Sequence, residues 1–128
     1  MWWFDKTKRK EIWEEELQWP IGDIEAAHKI RDICRSATDS AEKVGGAAAR
    51  PDGKNSKYDS ERYERAAKTA MEIAIKISDG LMRDSSVRQI VHLCLKANDL
   101  KTARILCRAI QSASIKEDLL NEHPRLRS

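Results

Sequence analysis

Glycine and proline are scarce in this chain, which has five Gly and three Pro among its 128 residues. Because tight turns depend on these two residues, their scarcity argues against a protein built from many short β-strands. Valine is also rare, and the apolar segments are instead rich in Ala, Ile and Leu, a composition that favours helices over strands. The composition therefore predicts an all-α protein.

The chain also lacks the marks of membrane, secreted and catalytic proteins. No apolar run approaches about 18 residues, and the first residues lack the apolar core of a secretory signal. Three cysteines, an odd number within helical patterns, fit a reduced, cytoplasmic protein. Phosphate-loop, nucleophile-elbow and zinc-ligand motifs are absent, so we expect no enzymatic activity, no cofactor and no metal.

Apolar residues recur every three to four positions along most of the chain, as on the buried face of amphipathic helices. The spacing predicts three helices in the first part of the chain, over residues 5–18, from Asp23 to about Ala41 and from Tyr58 to about Asp79. It predicts three more around Val87–Leu95, from Leu100 to Ile110, and from a capping box of Ser114 and Glu117 to just before Pro124. Turn-forming residues over 45–57 predict a loop. We expect residues 1–122 to form one domain and residues 123–128 to be a mobile tail.

Two segments of the sequence resemble each other. AMEIAIKISDGLMRDSS, which starts at Ala70, aligns without gaps with ARILCRAIQSASIKEDL, which starts at Ala103, at an offset of 33 residues. A period of this length is typical of solenoids with two helices per repeat. Residues 87–117 resemble a tetratricopeptide repeat, with Asn98-Asp99 as the turn and Ala103 at the packing alanine. The resemblance implies stacked antiparallel hairpins; a bundle of five or six helices remains the alternative.

Four polar residues of the fourth predicted helix form what we call the basic stripe. Arg88, His92 and Lys96 stand at i, i+4 and i+8, with Gln89 beside them. In tetratricopeptide-like hairpins this helix lines a concave groove, and the resemblance implies that these residues bind an acidic segment or a C-terminal carboxylate. The alternative is that Asp84, Asp99 or another helix neutralises the stripe.

The aromatic residues are concentrated at the N-terminus. Trp2, Trp3 and Phe4 precede a basic run and could cap the core, insert into a partner's groove or lie at a membrane interface. So short a segment binds lipid marginally, and Asp5 opposes it, so we favour capping or partner binding. Trp13 and Trp19 are expected to pack onto the helix that begins at Asp23.

These patterns predict a non-enzymatic interaction module, such as an adaptor, a chaperone-like protein or an inhibitor, that binds another protein. One alternative is a peripheral membrane or nucleic-acid accessory protein that uses its basic C-terminal half. Residues 81–128 carry nine basic and five acidic side chains, but no aromatic residue follows Tyr63 to stack on bases. A second alternative is a metal or thiol-redox protein that uses its cysteines, although core packing is the simpler role for these residues. Self-association through the exposed ends of a short repeat array also remains open.

Overall fold

The computed structural model describes residues 11–46 and 53–127, with side chains from residue 57 onward in the second range. These ranges contain five α-helices and no β-strand, which confirms the predicted all-α fold. The helices are α1 (Asp23–Gly46), α2 (Gly53–Ala74), α3 (Gly80–Lys96), α4 (Leu100–Ala109) and α5 (Ala113–Glu122). Two short 3-10 helices, Ile12–Glu14 and Pro124–Leu126, flank them.

The helices form antiparallel hairpins stacked side by side. In the described part of the chain, extensive helix–helix contacts join only helices that are neighbours or next neighbours in sequence. α1 packs against α2 and α3, and α3 packs in turn against α4 and α5. One layer therefore contains α1, α3 and α5, with α2 and α4 on the other side.

The core consists of the apolar faces that the periodicity predicted. Burying one isoleucine fully stabilises the fold by about 1.5–3 kcal/mol, so these faces hold the helices together. Alanines between the larger residues let the helix backbones approach closely. The buried apolar residues of α1 and α3 are Ala26, Ile30, Ile33, Cys34, Ala37 and Ala41, and Val87, Ile90, Val91, Leu93 and Cys94.

The prediction of a helix over residues 5–18 is wrong for the part of this range that the structure describes, residues 11–18. Only Ile12–Glu14 is helical there, as a single 3-10 turn. The backbone N–H of Glu11 donates to a Glu14 carboxylate oxygen at 2.8 Å, which closes the turn locally. Trp13 alone is buried, at 6 % exposure, and the guanidinium of Arg62 lies 5.0 Å from its ring centre. A single anchoring side chain and the following Pro20 suit a short turn better than a continuous amphipathic helix.

The two predicted Trp contacts differ in the structure. The turn that carries Trp13 contacts both α1 and α2, so this ring packs on the first hairpin, as expected for α1. Trp19 remains 38 % exposed, and the ammonium of Lys76 lies 4.4 Å from its ring centre. Trp19 therefore lies beside the segment that follows α2, and its ring makes a cation–π contact there.

The loop predicted over residues 45–57 is too long. α1 continues to Gly46 and α2 begins at Gly53, so only residues 47–52 fall between described helices. α2 then ends at Ala74, before the predicted stop near Asp79, because Ile75 and Lys76 form a turn. Asp79 caps α3 instead, with its carboxylate accepting from the N–H of Met82 at 2.8 Å.

The α3–α4 hairpin closes at the predicted turn. Asn98 has a φ of 57°, a left-handed conformation that asparagine tolerates better than most residues. The Asp99 carboxylate then caps α4 by accepting from the N–H of Thr102 at 3.2 Å, and it also accepts from the hydroxyl of Tyr63 at 2.6 Å. Asn98-Asp99 thus ends one helix, starts the next and ties the hairpin to α2.

The C-terminal segment differs from the prediction in two respects. Ser112, not Ser114, caps α5, with its hydroxyl accepting from the N–H of Ile115 at 3.3 Å. The described part of the tail predicted to be mobile, residues 123–127, instead folds back on the domain. Leu126 is 5 % exposed, and the guanidinium of Arg104 donates twice to the carbonyl of Arg125, at 3.0 and 2.8 Å. Burial of Leu126 against α4 and α5 holds the tail in place.

Candidate functional site

A groove opens between the C-terminal half of α3 and the end of α5. Its volume is about 450 Å³, within the usual range for small-molecule pockets, although it is a surface groove and not an enclosed cavity. We call it the α3–α5 groove. Its lining residues are His92, Leu95, Lys96, Glu122, His123 and Arg125.

Two anchors hold the groove in shape. Asp84 of α3 is buried, and its Oδ2 accepts from the backbone N–H groups of Gln111 and Ser112 at 3.2 and 2.8 Å. These two hydrogen bonds fix the start of α5 against α3. At the other end, the bonds from Arg104 to the Arg125 carbonyl fix the tail against α4. Both walls therefore belong to the packed domain.

The basic stripe is neutralised at one of its residues. An Arg88 guanidinium N–H group lies 3.1 and 3.0 Å from the two carboxylate oxygens of Glu122, so a residue of another helix pairs with it. Asp84 and Asp99, the other candidates for this role, bond to backbone N–H groups of the α4–α5 turn and of α4. Gln89 is half-buried and Lys96 is exposed at the groove.

His92 is placed differently from the rest of the stripe. Its ring lies edge-on to that of His123, with 5.5 Å between ring centres. Its Nε2 is buried without a hydrogen-bond partner among the described residues, and the nearest Glu122 oxygen is 3.8 Å away. Burial lowers the pKa of His92, and His123, Arg88 and Lys96 lower it further against the opposing effect of Glu122. The imidazole is therefore neutral near pH 7.

The neutral imidazole belongs to a cluster of donor atoms. His92, Glu122 and His123 each present one ligating atom, and these three atoms lie within 4.8 Å of one another. Histidine nitrogen and carboxylate oxygen are common ligands of divalent transition metals. These residues could therefore hold such an ion, whereas Lys96 and Arg125 offer positive charge to an acidic ligand.

Sequence reasoning missed half of the groove. Glu122, His123 and Arg125 come from the end of α5 and the tail, which carried no motif and was expected to be mobile. Pro124 was the one local signal, since proline commonly follows a helix end. It marks where α5 stops, but it does not show that the following residues return to α3.

The three cysteines do not form a reactive site. All are unpaired and buried. Burial raises the pKa of Cys34 to about 12 and that of Cys94 to about 11, and burial also raises the pKa of Cys107. Since the thiolate is the nucleophile and the metal ligand, protonated thiols of this kind serve as small core residues.

The remaining predicted site residues, Trp2, Trp3 and Phe4, lie outside the described residues. Among the described helices, none is long and apolar enough to cross a bilayer.

No protein-family model matches the chain, and searches against curated proteins and solved structures also find no match.

Proposed function

We propose that this chain is a non-enzymatic helical-repeat module of the cytoplasm that binds an acidic segment of a partner protein in the α3–α5 groove. The observation that carries the proposal is the charge of the groove. Lys96 and Arg125 line it together with two imidazoles, while the one carboxylate, Glu122, already pairs with Arg88. The groove therefore offers positive charge that no described residue pairs with.

The helix arrangement supports a repeat module. Each helix packs mainly on the helices that are its neighbours or next neighbours in sequence, and this pattern of contacts is typical of a solenoid. The tetratricopeptide-like resemblance of residues 87–117 implies that α3 lines a ligand groove, and α3 supplies one wall of the α3–α5 groove. Adaptor, chaperone-like and inhibitor roles all use a surface of this kind.

The expected ligand follows from the lining chemistry. Carboxylates pair with the Lys96 ammonium and the Arg125 guanidinium, and the half-buried Leu95, which also lines the groove, offers apolar contact. A single exposed ion pair contributes about 0–1 kcal/mol, so affinity requires several such contacts at once. Binding should also weaken as salt rises, since exposed charges are screened over about 10 Å at 0.1 M salt.

Fluorescence anisotropy with a labelled acidic peptide that ends in a free carboxylate tests the proposal on the full chain. The double variant Lys96→Glu/Arg125→Glu should weaken binding by about tenfold or more, because it reverses the groove charge. A matched control, Lys101→Glu/Arg108→Glu, makes the same charge change on exposed residues of α4 and should leave binding unchanged. Equal losses in both variants, or no binding to the wild type at low salt, would contradict the proposal.

The peptide itself provides a second control. A version with Gln in place of Glu and an amidated C-terminus removes the carboxylates and keeps the length, so it should not bind. If a nucleic-acid fragment binds with strong salt dependence and the Lys101→Glu/Arg108→Glu variant abolishes that binding, the chain is instead a nucleic-acid accessory protein.

Trp2, Trp3 and Phe4 form the second part of the proposal. Affinity capture with the full chain and with a variant lacking residues 1–4 should show a lost partner at an unchanged melting temperature. Unchanged partners with a lower melting temperature would assign these aromatics to a core cap instead.

A further inference from the structure

His92, Glu122 and His123 come from two separate parts of the chain and meet at one end of the α3–α5 groove. α3 supplies His92, and the end of α5 supplies Glu122 and His123. Their three ligating atoms lie within 4.8 Å of one another. The Nε2 of His92 is buried, and no residue in the described part of the chain hydrogen-bonds to it, which is uncommon for a buried polar atom and requires an explanation.

We propose that His92, Glu122 and His123 bind a divalent transition-metal ion of the zinc class, which satisfies the unpartnered nitrogen of His92 and joins α5 to α3. Two imidazole nitrogens and one carboxylate select zinc-class ions over calcium and magnesium, which prefer oxygen ligands alone. The inference rests on these donor atoms and not on acidic-segment binding, although the ion would lie in the same α3–α5 groove and add to its positive charge.

The geometry requires only small movements. Zinc binds nitrogen and oxygen at about 2.0–2.2 Å, so tetrahedral ligands lie about 3.3 Å apart. The donor atoms, which lie within 4.8 Å of one another, therefore need to close by up to about 1.5 Å, which rotations of the exposed Glu122 side chain and the half-buried His123 side chain can provide. Three protein ligands leave one position for water, which can enter from the open groove.

The surrounding charges set the expected strength. Arg88 lies 3.1 Å from Oε1 and 3.0 Å from Oε2 of Glu122, and the same Oε1 lies 3.8 Å from the His92 Nε2. An ion at Oε1 would therefore replace one of the two Arg88 contacts, while Oε2 keeps the other. The cationic side chains of Arg88, Lys96 and Arg125 oppose a second cation nearby. We therefore expect micromolar affinity, weaker than that of four-ligand structural zinc sites.

Isothermal titration of the chelator-treated full chain with Zn²⁺ tests the proposal, and Co²⁺ absorption provides a second readout of coordination geometry. We expect one ion per chain, with the Kd raised about tenfold or more by His92→Ala, Glu122→Gln or His123→Ala. His28 is exposed on α1, away from the cluster, and His28→Ala is the matched control with an unchanged Kd. Circular dichroism of each variant confirms that it is folded.

A measurement on the wild type requires no variant. Titration with Zn²⁺ should shift the imidazole NMR signals of two of the three histidines, and His28→Ala should remove only the signal that does not shift. The proposal is refuted if no ion binds at about 100 µM Zn²⁺, or if His28→Ala weakens binding as much as His92→Ala does.

Discussion

Alanine at Gly45 should destabilise the protein, because the backbone of α1 lies directly against the end of α3 at this residue. A Cβ built at Gly45 would lie 2.1 Å from the carbonyl oxygen of Lys96 and 3.1 Å from its carbonyl carbon. Both atoms belong to the α3 backbone and cannot rotate away. One helix would therefore have to move by about 1 Å to restore van der Waals contact.

The magnitude follows from two opposing effects. Overpacking of a closely packed interface costs about 1–3 kcal/mol. Alanine in place of glycine stabilises a helix by up to about 1 kcal/mol, and by less near a helix end. The net loss should be about 1–2 kcal/mol, a large fraction of the 5–15 kcal/mol that is typical for a domain. The melting temperature should fall by several degrees.

Urea unfolding followed by circular dichroism at 222 nm measures this change, and the chain supplies its own control. Gly46 lies next to Gly45 in α1, but a Cβ there would meet no atom of the described residues within 4 Å. Gly46→Ala should therefore be neutral or slightly stabilising through helix propensity alone. The reasoning is refuted if Gly45→Ala is as stable as Gly46→Ala, since α1 and α3 would then not make this contact.

Three further outcomes are expected. Leu126→Ala should cost about 2 kcal/mol or more in urea unfolding because Leu126 is buried, whereas Leu81→Ala, at a residue 64 % exposed, should cost little; equal costs would contradict the packed tail. Backbone N–H groups of Ser78 and Asp79 hold the pKa of Asp23 below its usual value, so its stabilising effect is present above about pH 4 and is lost as the pH falls through the lowered pKa. The stability difference between wild type and Asp23→Asn should accordingly stay constant from about pH 6 to pH 4 and shrink from about pH 4 to pH 3, and a difference that does not shrink would rule this effect out. Cys34, whose pKa burial raises to about 12, should not react with a thiol reagent near pH 8 until the protein is unfolded; rapid reaction in the native state would reveal a reactive thiol.

The candidate site was partly predictable from sequence. Arg88, His92 and Lys96 share a face because residues four apart on a helix are neighbours, and this depends only on helix geometry. Their structural partner could not be found in this way. Glu122 lies 34 residues after Arg88, and it reaches α3 only because α4 returns the chain and Asp84 anchors the turn before α5.

The same distinction applies to the fold. The sequence by itself determined that the chain forms helices, which apolar stripes they bury, and where Asn98-Asp99 turns the chain, since these features depend on residues within a few positions of one another. Tertiary structure decided the rest. Gly45-Gly46 resembled a turn signal in the sequence, yet both residues are helical, because α1 continues along α3. Glycine is needed at residue 45 because a side chain there would collide with α3. Leu126 lies in a segment that resembled a free chain end in the sequence. Because Leu126 is buried, this segment packs on the domain and forms one wall of the α3–α5 groove. In both cases the deciding contact is with a residue distant in sequence, so its energy exists only once the helices have packed together.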